Sequence, residues 1–230
     1  MPERRLPEHV LARVIHRRRF LRDTALLTGA AAGLAVPAGA DAASGAASRY
    51  PAWLRMFAQA AQEDIDSYTP TALTDAEFTT LKAAIARLIP ADELGPGAVE
   101  AGVQIFIDRA LAGPYAATLP LYQAGLAALD QAAGADGFSG LSPERQDELL
   151  TQAENSEIEG VPQGFFATLL EHTRQGMFGD PIYGGNRDFA GWDLIGFPGI
   201  KLVWTEADQQ IDATVTPEHV SVERYGGTGW

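Results

Sequence analysis

The sequence predicts an all-α, bundle-like domain that carries one long loop rich in glycine and aromatic residues. Apolar residues recur at helical spacing in five successive segments between residues 74 and 175, and turns rich in proline and glycine separate them. The fifth segment is followed by residues 176–199, which have no regular period. Few apolar runs follow, so little or no β-structure is expected near the C-terminus.

The first predicted helix has the clearest boundaries. Thr74 and Glu77 form a capping-box pattern, in which the threonine hydroxyl accepts the amide of Glu77 and the glutamate reaches back to the cap. Pro90 ends the helix. The apolar residues at helical spacing between these limits are Phe78, Leu81, Ile85, Leu88 and Ile89.

Four further helices are predicted at about 98–111, 120–133, 142–155 and 162–175. The second ends at Gly113-Pro114, and the fourth begins at Ser142-Pro143-Glu144, where a capping residue precedes proline at the first helical position. The residues on the four stripes are Val99, Val103, Phe106, Ala110, Tyr122, Leu126, Leu129, Leu149, Leu150, Phe165, Phe166, Leu169, Leu170 and Thr173.

These segments divide the chain into four parts. Residues 1–42 are expected to be a signal peptide and 43–72 a linker with a short helical arm that carries Trp53 and Phe57. Residues 73–205 form the helical domain, and 206–230 a C-terminal tail. Within the last 31 residues, 200–204 are expected to be extended and 220–222 to add at most a short strand.

The N-terminal segment matches a twin-arginine export signal. Arg17 and Arg18 open the pattern Arg-Arg-x-Phe-Leu-Arg, in which Phe20 and Leu21 are the apolar positions. A stretch of 13 weakly apolar residues follows, too short to span a bilayer, and cleavage is expected after Ala40 or Ala42. The alternatives are a retained amphipathic anchor and a chance cluster of arginines.

Charge is divided unevenly along the chain. Residues 1–40 contain seven arginines and three acids, net +4, so the remaining residues carry 10 basic and 27 acidic side chains, net −17. An acidic body of this kind repels phosphate backbones, which argues against nucleic-acid binding. Its negative field either keeps the protein soluble or favours a partner with a basic patch.

No arrangement of residues predicts catalysis or a cofactor site in this chain. Without cysteine there is no disulfide, thiolate metal site or covalent haem attachment. No nucleophile elbow or glycine-rich phosphate cradle follows a predicted strand, so the chain alone is not expected to bind FAD. Outside the signal, His172 and His219 have no partner at metal-ligand spacing, and His172 is expected to be an ordinary surface or half-buried histidine.

The loop at 176–199 combines glycines with large aromatic residues, the types that anchor interfaces and ligand pockets. It is therefore predicted to be a recognition surface or an intramolecular lid. Tyr183, Trp192 and Phe197 either fold back as a small core or face a partner. The polar residues Asp180 and Asn186 are expected to stabilise its turns rather than to bind calcium.

Residues 176–199 also carry a family resemblance. The pattern Gly-Met-Phe-x-Asp-Pro-x-Tyr-Gly-Gly-Asn-Arg-Asp-x-x-Gly-Trp-x-x-Ile-Gly-Phe-Pro-Gly resembles the signature of the gluconate 2-dehydrogenase small-subunit (gamma, subunit 3) family. Upstream, Leu88-Ile89-Pro90-Ala91-Asp92-Glu93 followed by Pro96-Gly97-Ala98 is similar to a helix end and helix start of that family. The resemblance covers roughly residues 73–205.

The resemblance implies a non-catalytic subunit of a periplasmic dehydrogenase complex. Its partner would be a glucose-methanol-choline-type FAD flavoprotein that oxidises a sugar, sugar acid or polyol, with a multihaem cytochrome c as a further subunit in some complexes. FAD would then lie in the flavoprotein and haem c in the cytochrome. The flavoprotein would travel with this chain through the twin-arginine route, and membrane association at the periplasmic face of the inner membrane would be indirect.

Docking to that partner is expected to involve the loop and the N-terminal arm. The residues predicted to bind the partner are Asp180, Pro181, Tyr183, Gly184, Gly185, Asn186, Arg187, Trp192, Gly196, Phe197, Pro198 and Gly199, with Trp53 and Phe57 as a second anchor. Two alternatives stay open: a stand-alone periplasmic ligand-binding or hydrolytic protein whose loop is a lid, and an export chaperone that leaves after delivery.

Overall fold

Helices account for most of the computed structural model, which describes residues 65–201, 203–211 and 217–221. Single turns of 3-10 helix join several of the α-helices, and the described residues include no β-strand. This agrees with the predicted all-α class. The six α-helices are α1 (Asp75–Leu88), α2 (Val103–Ala112), α3 (Leu119–Ala133), α4 (Pro143–Glu154), α5 (Phe165–Phe178) and α6 (Ala190–Ile195).

Helix α1 lies inside the bundle, where it contacts α2, α3, α4 and α5. The predicted capping box is confirmed: Thr74 Oγ1 accepts a hydrogen bond from the Glu77 amide at 3.3 Å, and Glu77 Oε2 accepts one from the Thr74 amide at 2.8 Å. The buried face of the helix includes Leu81 and Ile85, both fully shielded from solvent. Four neighbours thus cover one amphipathic helix.

Two close helix contacts place α5 in the bundle. The Phe165 ring lies over Gly125 of α3, where any larger side chain would overlap the ring, and it meets the Tyr122 ring edge to face at 6.0 Å. Near the other end of α5, Gly176 lies against Val103 and Phe106 of α2. The C-terminal end of α5 is therefore held against α2.

Two predicted helix boundaries are wrong. The second helix begins at Val103 and not near residue 98, since Gly102 has φ of 77° and cannot continue a right-handed helix. The fifth helix begins at Phe165 and extends through Phe178, three residues beyond the predicted end. The other predicted starts and ends agree with the structure to within about a residue.

A buried carboxylate fixes the segment before α1. Asp108 of α2 is fully shielded and accepts hydrogen bonds from the Tyr68 hydroxyl at 2.6 Å and from the Thr71 amide and hydroxyl at 2.7 and 2.8 Å. The amides of Ala72 and Leu73 donate to its other oxygen at 3.0 and 2.9 Å. One side chain thus satisfies five donors between residues 68 and 73.

Residues that follow the loop pack back against it without forming a strand in the described ranges. The Ile200 amide donates to the Val220 carbonyl at 3.0 Å, and the Glu218 amide donates to the Pro198 carbonyl at 2.9 Å. Val220 is buried. The predicted arm, signal and terminal residues 222–230 lie outside the described residues. Within the part described, no helix combines the length and the apolar character needed to cross a membrane.

We expect Asp108→Asn to lower the free energy of unfolding by about 2–3 kcal/mol, because an amide oxygen cannot replace both carboxylate oxygens as acceptors for five donors. Urea denaturation of the purified chain measures the change. Asp147→Asn is the matched control, since Asp147 pairs with Arg87 at the surface and its loss should cost less than about 1 kcal/mol. Equal losses in the two variants would contradict the role given to Asp108.

Candidate functional site

Residues 176–199 form an ordered element that folds back onto the end of α5. The sequence predicts a loop without regular period at 176–199, whereas in the structure residues 176–178 belong to α5 and residues 190–195 form α6. Between them lie single 3-10 turns at Pro181–Tyr183 and Arg187–Phe189. We call residues 179–199 the folded-back loop.

The side-chain amide of Asn186 joins the two halves of the folded-back loop. It is fully buried; its Nδ2 donates to the Gly179 carbonyl at 2.8 Å, and its Oδ1 accepts the Gly191 amide at 2.8 Å. The residue has φ of 48°, a left-handed conformation that asparagine tolerates better than most residues. The position therefore requires a side chain that both donates and accepts a hydrogen bond and a residue that tolerates positive φ, and asparagine meets these requirements.

Glycine is required where the loop touches α5. A Cβ atom on Gly185 would overlap the Gly176 carbonyl oxygen, and one on Gly191 would overlap the Met177 carbonyl oxygen. Backbone therefore lies directly on backbone at two points. This close approach explains the glycines that the sequence shows at 185 and 191.

Trp192 belongs to the interior of the element. Only 4% of its surface is exposed, and its indole Nε1 donates to the Phe178 carbonyl at 2.9 Å. Its ring meets that of Phe197 edge to face at 4.8 Å and that of Phe189 at 5.4 Å. The aromatic residues of the loop were predicted either to form a small core or to face a partner, and Trp192 forms part of the core.

Two further contacts fasten the loop to distant parts of the chain. The Arg187 amide donates to the Ala101 carbonyl at 3.1 Å, which ties the loop to the turn before α2. Asp180 Oδ1 accepts the Ile182 amide at 3.0 Å and the Ser221 hydroxyl at 2.5 Å. Asp180 therefore closes a local turn, as predicted, and also binds the C-terminal segment.

The C-terminal residues 217–221 are part of the site, which sequence reasoning missed. His219 Nε2 lies 2.6 Å from Asp193 Oδ1, and the imidazole stacks on the Phe189 ring at 4.8 Å. Val220 packs beside Gly199. No sequence pattern near residue 219 indicates these contacts, since they join residues about 20 to 40 positions apart.

The predicted partner-binding residues differ in exposure. The buried ones are Gly184, Gly185, Asn186, Trp192 and Gly199. The half-buried ones are Asp180, Pro181, Arg187 and Pro198. The exposed ones are Tyr183, Gly196 and Phe197, with 39% of the surface of each aromatic residue open to solvent. Trp53 and Phe57, and the signal residues Arg17, Arg18, Phe20 and Leu21, lie outside the described residues.

Three of the four acidic and amide side chains of the loop make polar contacts within the protein. Asp180, Asn186 and Asp193 each have the partners given above, and Asp188 is exposed. Among the described residues, no three His, Asp or Glu side chains gather closely enough to hold a metal ion. These contacts stabilise the conformation of the folded-back loop, which leaves Tyr183 and Phe197 exposed.

His172 is buried, which corrects the expectation of a surface or half-buried histidine. It lies between two tyrosines: its ring stacks on Tyr115 at 4.5 Å and on Tyr122 at 5.7 Å. The Tyr122 hydroxyl and His172 Nδ1 form a hydrogen bond of 3.1 Å. Burial lowers the pKa of His172 and raises the pKa of Tyr122 above its usual value.

Comparison with known proteins identifies one family. Residues 75–199, more than half of the chain, match the family model described as gluconate 2-dehydrogenase subunit 3. The match ends with the folded-back loop, and it confirms the resemblance drawn from residues 176–199. No curated protein and no solved structure matches the chain.

We expect Asn186→Asp to destabilise the protein by about 2–3 kcal/mol, because a carboxylate oxygen would face the Gly179 carbonyl in place of a donor. Thermal and urea unfolding measure the loss. Asp188→Asn is the matched control, since Asp188 has a similar φ of 53° but is exposed. The control should unfold like the unmodified chain. If both variants unfolded alike, Asn186 would not be the joint of the loop.

The buried His172 predicts a pH dependence of stability. Its folded-state pKa lies below 6.5, so the unfolded chain binds the proton first as pH falls. Stability should therefore decline as pH falls below about 6.5 and level off below the folded-state pKa. His172→Phe should remove this component. Urea unfolding at pH 7.5 and 5.5 gives the difference between the two proteins, and identical differences would contradict the assignment.

Proposed function

Because the chain belongs to the gluconate 2-dehydrogenase subunit 3 family, a family of non-catalytic subunits of dehydrogenase complexes, we propose that it is the small subunit of an FAD-dependent oxidoreductase. The catalytic partner is a glucose-methanol-choline-type flavoprotein that oxidises a sugar, a sugar acid or a polyol. This chain exports, assembles and stabilises that flavoprotein. A multihaem cytochrome c accepts the electrons where it is present.

The observation that carries this proposal is that the family match ends in a fixed surface element. The folded-back loop is fastened to α5, to the turn before α2 and to residues 217–221, and it exposes Tyr183 and Phe197 at its edge. Exposed aromatic residues on a rigid support favour binding, since little conformational freedom is lost on association. Such an element also supports docking over the opening and closing of a lid.

The N-terminal pattern supports the proposed role in export. Arg17, Arg18, Phe20 and Leu21 match the twin-arginine signal, whose route carries proteins that have already folded. A flavoprotein that acquires FAD in the cytoplasm needs this route. We therefore propose that the partner lacks a signal of its own, binds this chain in the cytoplasm and crosses with it to the periplasm, where the complex associates with the membrane through its other subunits.

Replacement of Arg17 and Arg18 by lysine tests the proposal in the source cell. We expect the flavoprotein and its dye-linked dehydrogenase activity to accumulate in the cytoplasm, because the escort no longer engages the export machinery. Activity and FAD fluorescence in periplasmic and cytoplasmic fractions measure the distribution. Arg4→Lys with Arg5→Lys is the matched control and should leave export unchanged.

Affinity capture of the tagged chain from the periplasmic fraction completes the test. Recovery of a stoichiometric FAD protein supports a permanent subunit. An active periplasmic flavoprotein that is not captured with the chain identifies an export chaperone that leaves after delivery. Flavoprotein activity that reaches the periplasm in cells without this chain would overturn the proposal.

A further inference from the structure

A shallow groove of about 360 Å³ lies beside the folded-back loop. One wall comes from the turn before α2 and the other from the loop and α6. Its apolar lining residues are Leu94, Pro96, Ala190 and Leu194. The groove therefore joins two parts of the matched segment that are about 90 residues apart.

Leu94 is held in an exposed position by a tight turn. Asp92 and Gly95 exchange two backbone hydrogen bonds of 3.1 Å, and Asp92 Oδ1 accepts the Leu94 amide at 2.8 Å. The side chain at the tip of this turn is 46% exposed. Leu194 lines the groove on the side of α6, and the exposed Ile195 and Phe197 follow it in the chain.

The groove is acidic. Three carboxylates line it, from Glu100, Asp188 and Asp193, against the single guanidinium of Arg187. The charge of the lining matches that of the chain after residue 40, which is net −17. A negatively charged groove that is also lined by apolar side chains favours a segment in which lysine or arginine flanks apolar side chains, and it disfavours acidic segments.

The wall formed by the loop has an unusual backbone conformation that its neighbours hold in place. Asp188 and Phe189 both have positive φ, at 53° and 60°, and Phe189 is fixed by stacking against Trp192 and His219. Conformations of this kind persist only where the surrounding structure enforces them. The groove is thus already shaped before any ligand binds.

We propose that this groove is the docking site for a basic, apolar-bearing surface segment of the flavoprotein subunit. Leu94 and Leu194 contact the apolar side chains of that segment, and Asp188 and Glu100 pair with its lysine or arginine residues. The inference rests on the proposed function and adds the location of the contact and the chemistry of the partner. Neither Leu94 nor Glu100 was among the residues that sequence analysis assigned to docking.

Two substitutions separate the apolar from the electrostatic contribution. The complex captured from the periplasm is dissociated and rebuilt, and the affinity of the purified chain for the flavoprotein is measured by titration at several salt concentrations. Leu94→Ser should weaken binding about tenfold with an unchanged salt dependence. Asp188→Asn should weaken binding about threefold at low salt and reduce the salt dependence, because one charge pair is lost.

Matched controls carry the same chemical changes outside the groove. Ile211→Ser removes another exposed apolar side chain, and Asp136→Asn removes another exposed carboxylate. Both should bind within about twofold of the unmodified chain, and thermal unfolding verifies that all four variants remain folded.

The outcomes distinguish the two proposals. If the unmodified chain captures no flavoprotein from the periplasm, its role as a permanent subunit fails, and the docking inference, which locates a contact of that complex, fails with it. If the flavoprotein is captured but Leu94→Ser and Asp188→Asn bind as their controls do, the function stands and the groove is not the docking site. Weakening confined to the groove variants, with the salt dependence altered only by Asp188→Asn, supports the inference.

Discussion

The folded-back loop depends on the side-chain amide of Asn186. The loop can lie on the end of α5 only if the backbones at residues 179, 186 and 191 come close together. The half-buried Gly179 carbonyl then needs a donor, and the buried Gly191 amide needs an acceptor. Asparagine supplies both from one short side chain and also tolerates the left-handed backbone. The close backbone contacts of Gly185 and Gly191 with α5 depend on these two hydrogen bonds of Asn186.

Much of the bundle could be predicted from the sequence because its signals are local. The capping box at Thr74 marks the start of α1, and Pro90 marks its end. Proline after Ser142 marks the start of α4. Each of these signals lies within a few neighbouring residues. The start of α2 could not be predicted in this way. Val99 fits the apolar stripe of α2, yet the left-handed backbone conformation of Gly102 prevents the helix from starting before Val103. The spacing of apolar residues carries no information about this backbone angle.

The site was predictable in composition but not in arrangement. The glycines and aromatic residues at 176–199 indicated a surface element of defined shape. Their spacing did not show that Trp192 is buried whereas Phe197 is exposed. The contacts of Ser221 and His219 with the loop are single polar pairs between distant positions. Such pairs leave no periodic signal, and the turn that exposes Leu94 likewise becomes part of a groove only when the chain is folded.

The five hydrogen bonds at Asp108 have a mechanical consequence. Within the described residues, a force that arrives at residues 68–73 from the N-terminal side is transmitted through one carboxylate to α2 as well as along the chain to α1. If this chain escorts a folded flavoprotein across a membrane, as proposed, Asp108 helps to transmit the pulling force from the segment before α1 to the helical domain.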